Sequence, residues 1–400
     1  MENLLWVLLL VMVFQTLFVL WNLPQMRRLS QFSICDAKAE RGHPSNAGQT
    51  QADGNPGWSS GAAEQAIRLS ILIPARNEEE NIGPCLESVL ANEFPFREIL
   101  ILNDRSSDGT STRIAMLADR DSRIREIQGE ELPPGWMGKS HACHQLSLQA
   151  QGEWWLFLDA DARLSPDALA KVACAAAEQQ RGLLTGFPRQ ITGTWLEKLV
   201  VPMMLFTIAC HLPIRLVRHT TDPRFVAAHG GFMLIESGTY SRLGGHAAFK
   251  DNLVDDISLA RAVKRIGEPV ELLHIGEEVE MRMYKDAAEV WNGYKKNIYA
   301  GVGRSFTLLT FVLSLYFLLY VLPWLTLPWA VFHPELWLPA ASLCTLGVLL
   351  KARINHWCGQ PIWRALLMPL CAAALIAIGL ESWRAAAFGS GYRWKGRTYH

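Results

Sequence analysis

The stretch LFLDADA, residues 156–162, decides how this 400-residue chain reads. An apolar run, continuous from Trp154 to Leu158, ends abruptly in two carboxylates separated by one small residue. On a β-strand alternate residues share a face, so Asp159 and Asp161 can point together. Two neighbouring carboxylates repel unless a cation lies between them. A hard divalent ion held by few carboxylates and completed by phosphate oxygens suits such a pair. The same two aspartates could also sit solvated at a strand end and cap a helix starting at Pro166.

Working outward, short apolar runs alternate with helical patterns. The pattern predicts strands at 69–73, 98–102, 124–127 and 154–158, and helices at 78–91, 110–118 and 138–149, with Asn77 as the N-cap of the first. Such alternation predicts an α/β fold with a mostly parallel sheet covered by helices on both faces. Ligands of such sheets bind beyond the carboxyl ends of the strands. That is where PARNEE (74–79), NDRSSDGT (103–110) and the Asp159/Asp161 pair fall. In PARNEE the glutamates suit a helix N-terminus through the dipole, which leaves Glu78 as the functional candidate. In NDRSSDGT, Asp108 with Ser106 and Ser107 can cap a helix, and Asp104 can accept hydrogen bonds from a base or ribose.

Three further stretches carry candidates. GWMGKSHA (135–142) puts Lys139 at a helix start, where a cation opposes the dipole. That favours an anionic partner such as a diphosphate. His141 and His144 lack a metal-binding pattern and read as helix-surface histidines. In VDDISLA (254–260), Asp255 and Asp256 open a helix; they suit its dipole, and an acid there could also serve as general base. Arg282 in EMRMY (280–284) could hold a diphosphate through paired contacts or be a surface arginine.

The flanks are apolar. Residues 4–20 hold only Gln15 and Thr16 as polar interruptions, which predicts an N-terminal transmembrane helix over 1–24. A cleaved signal peptide would want a basic start and a small-residue cleavage site, and neither is present. Arg27, Arg28, Lys38 and Arg41 follow the helix and predict a cytoplasmic next domain. Residues 36–66 are rich in Gly, Ser, Asn, Gln and Ala and read as a flexible linker. After a domain at 67–301, residues 302–385 predict two or three membrane helices, with apolar runs at 306–331, 336–350 and 365–380. Three crossings would leave the basic tail (386–400) outside, against its charge. The Pro-interrupted segment 196–217 reads as an interfacial element on the membrane or over the active site. Lys plus Arg equals Asp plus Glu at 38 each, which argues against a nucleic-acid partner. Eight scattered cysteines without a CxxC pair exclude a zinc ribbon and suit a reducing compartment.

Taken in this order, the motifs resemble family 2 glycosyltransferases with a GT-A fold, a Rossmann-like nucleotide-diphospho-sugar transferase domain. The resemblance covers about residues 69–301 and WKGR at 394–397. It implies donor contacts from Pro74, Ala75, Glu78, Asp104, Lys139, Asp159 and Arg282. It also implies a Mg2+ or Mn2+ ion on Asp159 and Asp161, and catalysis by Asp256 with Asp255 beside it. HGGFMLIESGTYSRLGGH (229–246) resembles an acceptor-side segment. GWMGK, LVDDISLA, RMY and WNGYKKN look most like membrane enzymes of carotenoid and hopanoid gene clusters. The expected activity is inverting transfer from a nucleotide-sugar, UDP-linked by family habit, to a lipid or isoprenoid hydroxyl or carboxyl at the cell membrane. Processive synthases end their site in QxxRW, and EMRMY departs from that with Tyr284 and no Gln. A polysaccharide synthase and a non-catalytic nucleotide-sugar or lipid-binding scaffold are the alternatives.

Overall fold

The computed structural model describes residues 1–32, 67–389, 392–394 and 397–399. The expected linker at 36–66, Cys35 and Lys395 of the tail lie outside the described residues.

Among the described residues, ten strands build the α/β domain: β1 (Leu69–Ala75), β2 (Glu98–Asn103), β3 (Ile124–Gln128), β4 (Trp154–Leu158), β5 (Ala162–Leu164), β6 (Leu183–Phe187), β7 (Arg189–Gln190), β8 (Phe232–Glu236), β9 (Val270–His274) and β10 (Val279–Met281). Seven form one sheet in the order β3-β2-β1-β4-β8-β6-β9, in which only β8 runs antiparallel to its neighbours. The central strands are buried along almost their whole length, because helices cover both faces and a continuous apolar run is what such a position accepts. Aliphatic side chains alternate between two cores. Ile71 and Ile99 point into one, Leu72 and Leu100 into the other. A second sheet, β5-β10-β7, sits beyond the end of β4.

The expected elements recur with shifts of a residue or two. The helix expected at 78–91 spans Glu79–Leu90, with Glu78 and not Asn77 at its N-cap; Asn77 adopts φ 52° in the turn before it. The helix at Thr110–Ala118 keeps its expected bounds, and the third runs Gly138–Ser147. His141 corrects its expectation: it is buried, and Trp136 packs against it and His144.

Among the described residues, four helices are long and apolar enough to cross a membrane: Glu2–Gln25, Phe306–Trp329, Pro334–Trp357 and Ile362–Ala387. Lys351 and Arg353, which follow the apolar run 336–350, lie within the last turns of Trp337–Trp357, where Lys351 is buried against the Phe206 ring. The segment 196–217 breaks at its prolines into helices Trp195–Val200, Met203–His211 and Ile214–His219. Leu196, Val200 and Phe206 join the core formed by the apolar helices, so the segment is the joint between the two halves of the molecule. Arg27 and Arg28 bind the α/β domain too. Arg27 pairs with Glu178 and Glu271, and Arg28 pairs with Glu277 and lies over the Trp357 ring.

Candidate active site

The ends of β1, β2 and β4 open on one cleft of about 580 Å³. Pro74, Ala75, Glu78, Asp104, Lys139, Asp159, Asp161, Asp255, Asp256 and Arg282 all line it, although they span more than two hundred positions of sequence. Ten carboxylates and five basic side chains face this space. An anionic diphosphate entering it needs compensating positive charge beyond what the chain supplies.

The loops that follow β1 and β2 are held by their own polar groups. Asp108 accepts from the Thr110 N–H (3.1 Å) and hydroxyl (2.5 Å) and from the Glu79 N–H (3.2 Å). Burial pulls its acidity the other way, yet these bonds keep Asp108 below the usual carboxylate range. Glu79 accepts from the Gly109 N–H, and Asn77 from the Ser107 N–H. Asp108 therefore ties the two turns together, while its neighbour Ser106 donates nothing to the helix: its N–H binds Asn103 and its hydroxyl accepts from Asn77. Asp104 is 7% exposed at the floor, with Arg76 donating to its carbonyl oxygen (2.7 Å) and lying 3.9 Å from its carboxylate.

The opposite end is built differently. The Lys139 ammonium lies 2.5 Å from Asp159 Oδ1 and donates to the Gly230 carbonyl at 3.2 Å. The Gly230 N–H in turn donates to Asp256 Oδ2 at 3.0 Å, and Asp256 Oδ1 accepts from the Ile257 N–H at 2.7 Å. Gly230 thus bridges the lysine to the aspartate. A Cβ there would come within 2.9 Å of the Lys139 nitrogen, so a side chain at 230 would push the ammonium from its place. Burial, then the Asp255 charge, lifts Asp256 to about 6. Burial also raises Asp159, against the pull of Lys139. Lys139 loses by burial but gains more from Asp159 and Asp255, and stays protonated far above neutrality.

Asp159 and Asp161 fit a hard divalent ion as far as their chemistry goes: oxygen donors at a strand mouth, on an acid-rich cleft. Among the described residues no group of three or more His, Cys, Asp or Glu converges as a metal cage, so the remaining ligands would have to come from phosphate and water. Arg282 reaches the cleft, but its Nε and Nη2 donate to Glu197 at 3.1 Å each. Glu197 is 1% exposed and also closes a capping box with Thr194. Burial opposes its ionisation, but Arg282 and the Gly193 and Thr194 N–H groups bring it down to about 2.

Sequence reasoning passed over Glu197, Gly230, Lys296 and Asn297. The Thr194-x-x-Glu197 pattern is a capping-box signature that could have flagged the first. Lys296 and Asn297 lie on helix Ala287–Gly301, which closes the cleft opposite the sheet. Tyr284, in the place of the synthases' tryptophan, packs its ring on Gly293 of that helix.

Residues 70–240 match the family described as Glycosyl transferase family 2. That region, which runs from β1 into the helix after β8 and makes up a little under half of the chain, is similar to that family. A 4,4'-diaponeurosporenoate glycosyltransferase of Staphylococcus aureus (strain MRSA252) is 28% identical over 247 residues, covering 59% of this chain and 62% of the relative. The match thus spans less than two thirds of that relative's length. Among solved structures, a mannosyltransferase from Pyrobaculum calidifontis in complex with GDP-Man and Mn2+ superposes with a TM-score of 0.55 at 19% identity, covering 95% of this chain and 98% of that one. The shared fold therefore includes the apolar helices as well as the sheet.

Proposed function

We propose that the protein is a membrane-bound glycosyltransferase. It moves a sugar from a nucleotide-sugar donor, UDP-linked by preference, to a hydroxyl or carboxyl of a lipid or isoprenoid acceptor, with inversion. It works at the cell membrane as a multi-pass protein with its catalytic domain in the cytoplasm. The observation that carries this reading is the convergence of Asp104, Asp159 and Asp256 on one cleft beside Lys139. The mannosyltransferase solved with GDP-Man and Mn2+ supports a nucleotide-sugar and a divalent cation, and the carotenoid relative supports a greasy acceptor.

Asp159 and Asp161 would hold a Mg2+ or Mn2+ ion, which when bound neutralises charge on the departing diphosphate. Asp104 receives the nucleoside. Lys139, fixed by Asp159 and Gly230, faces the diphosphate as a point charge. Asp256, poised near 6, takes the proton of a hydroxyl acceptor as its oxygen attacks the anomeric carbon from the face opposite the leaving group. Arg282 acts at the rim, its guanidinium oriented by Glu197.

The test is direct. The purified full chain, with Mn2+ and a panel of UDP- and GDP-sugars, should release nucleoside diphosphate and label a lipid extract. A chain that binds no nucleotide-sugar and labels no lipid would refute the reading.

A further inference from the structure

The helix Ile362–Ala387 has the length and apolarity of a span, yet both of its ends are fastened to the catalytic domain. At its start, Arg364 donates to the Thr192 hydroxyl at 2.7 Å, and the preceding Gln360 donates to the Gln190 carbonyl at 2.7 Å. Near its end, the Ser382 hydroxyl donates to the Lys295 carbonyl at 2.5 Å and accepts from the Tyr299 N–H at 3.0 Å. Lys295 and Tyr299 belong to the cleft helix Ala287–Gly301. A helix of this length extends about 40 Å, enough to reach the far side of a bilayer if it stood upright. Instead it runs beside the cleft helix, and its last turns meet the beginning of the second span, where Trp383 packs on Phe306.

Charge gives an independent indication. At the far end of the other three helices stand Glu2, His333 and Glu335, and residues 330–336 contain no lysine or arginine. Arg27, Arg28, Arg353 and Arg364 lie at the catalytic-domain end, and the tail adds Arg393, Lys395 and Arg397. If Ile362–Ala387 crossed, that tail would stand alone among basic segments on the far side, against the positive-inside tendency. We infer that Ile362–Ala387 lies along the membrane interface on the catalytic side and does not cross, so that the protein has three spans and its tail shares a compartment with its active site.

The surface that this helix presents fits that position. Leu366, Leu370 and Leu380 are exposed along one stripe, with Trp363 at the head. Trp195, 66% exposed, stands out from the adjoining catalytic segment. An apolar stripe with tryptophans at the polar boundary suits the headgroup–acyl zone of a bilayer. The occupant of this face is therefore lipid, continuous with the lipid that surrounds the three spans. One helix, Ala287–Gly301, then separates the bilayer surface from Asp255 and Asp256, and its residues Lys296 and Asn297 already line the cleft. A lipid acceptor reaches the reacting carboxylates without leaving the interface.

The experiment uses the full chain with two engineered protease sites, one inserted after Gly54 and one appended after His400. Both are tested in sealed right-side-out and inside-out vesicles. Three spans place both sites on one side, so they are cut together in one vesicle orientation and protected together in the other. Four spans place them on opposite sides, with one site cut in each orientation, and that result overturns the inference. Donor-dependent lipid labelling in the same vesicles is scored separately, so a failed glycosyltransferase reading and a failed topology give different results.

Discussion

The two ends of the cleft spend their carboxylates in opposite ways. At the turns after β1 and β2, Asp108 accepts from two backbone N–H groups and Glu79 from one, which holds the two turns together; Asp108 sits below its ordinary range as a result. At the opposite end, burial and the nearby charge of Asp255 push both Asp159 and Asp256 upward. An acid lowered by hydrogen bonds is committed to structure, whereas one raised by burial and like charge is held ready to accept a proton or a cation. Substitutions on the two sides should therefore separate cleanly.

The largest effect is expected from Asp159→Asn. It removes the partner of Lys139 and one proposed ion ligand, so transfer should fall by about 10³-fold and the Mn2+ requirement should weaken. Activity within tenfold of the native chain would place the ion elsewhere. The pH profile comes next. Asp256 must be ionised to act, so kcat/KM should fall about tenfold per pH unit below about 6 and level off above it. Its raised proton affinity also means that its contribution to stability is greatest at low pH and is lost as pH rises through 6. Asp256→Asn should then melt no lower than the native chain at pH 8.

Glu197→Ala tests the joint between the halves. Loss of the capping box and the Arg282 contact should destabilise by about 1–3 kcal/mol, read as a lower melting temperature in detergent. Glu197 is held near 2, so its contribution is full above its ordinary value of 4.5 and fades as pH falls from there toward 2. Acid melting of the variant should lack that decline. The smallest change is expected from Asp108→Ala: about 1 kcal/mol of stability, with transfer reduced less than tenfold. A complete loss of transfer there would erase the distinction between the two ends.

Much of this was legible in the sequence because it depends on local periodicity. The runs at 69–75, 98–103 and 154–158 are apolar on both faces, and only a covered parallel sheet accommodates that. The site residues could be picked out because they follow those strands. What escaped depends on contacts across long separations. Nothing near Glu197 announces Arg282, 85 positions away. Gly230 is a bridge only because the helix Gly138–Ser147 and the helix at 255 meet around it. Arg27 and Arg28 read as topology signals, and only the fold reveals their partners Glu178 and Glu277. His141 follows a helix-surface expectation until Trp136 folds over it.

The central claim is that Asp256 accepts the proton in a cleft where other groups hold the donor. The measurement that tests it most directly compares donor affinity and transfer rate in one preparation of Asp256→Asn. The account expects nucleotide-sugar affinity within about threefold of native and transfer lowered by about 10²–10³-fold, with no acid limb left in the residual rate. Normal transfer, or transfer lost only in proportion to donor binding, would contradict it.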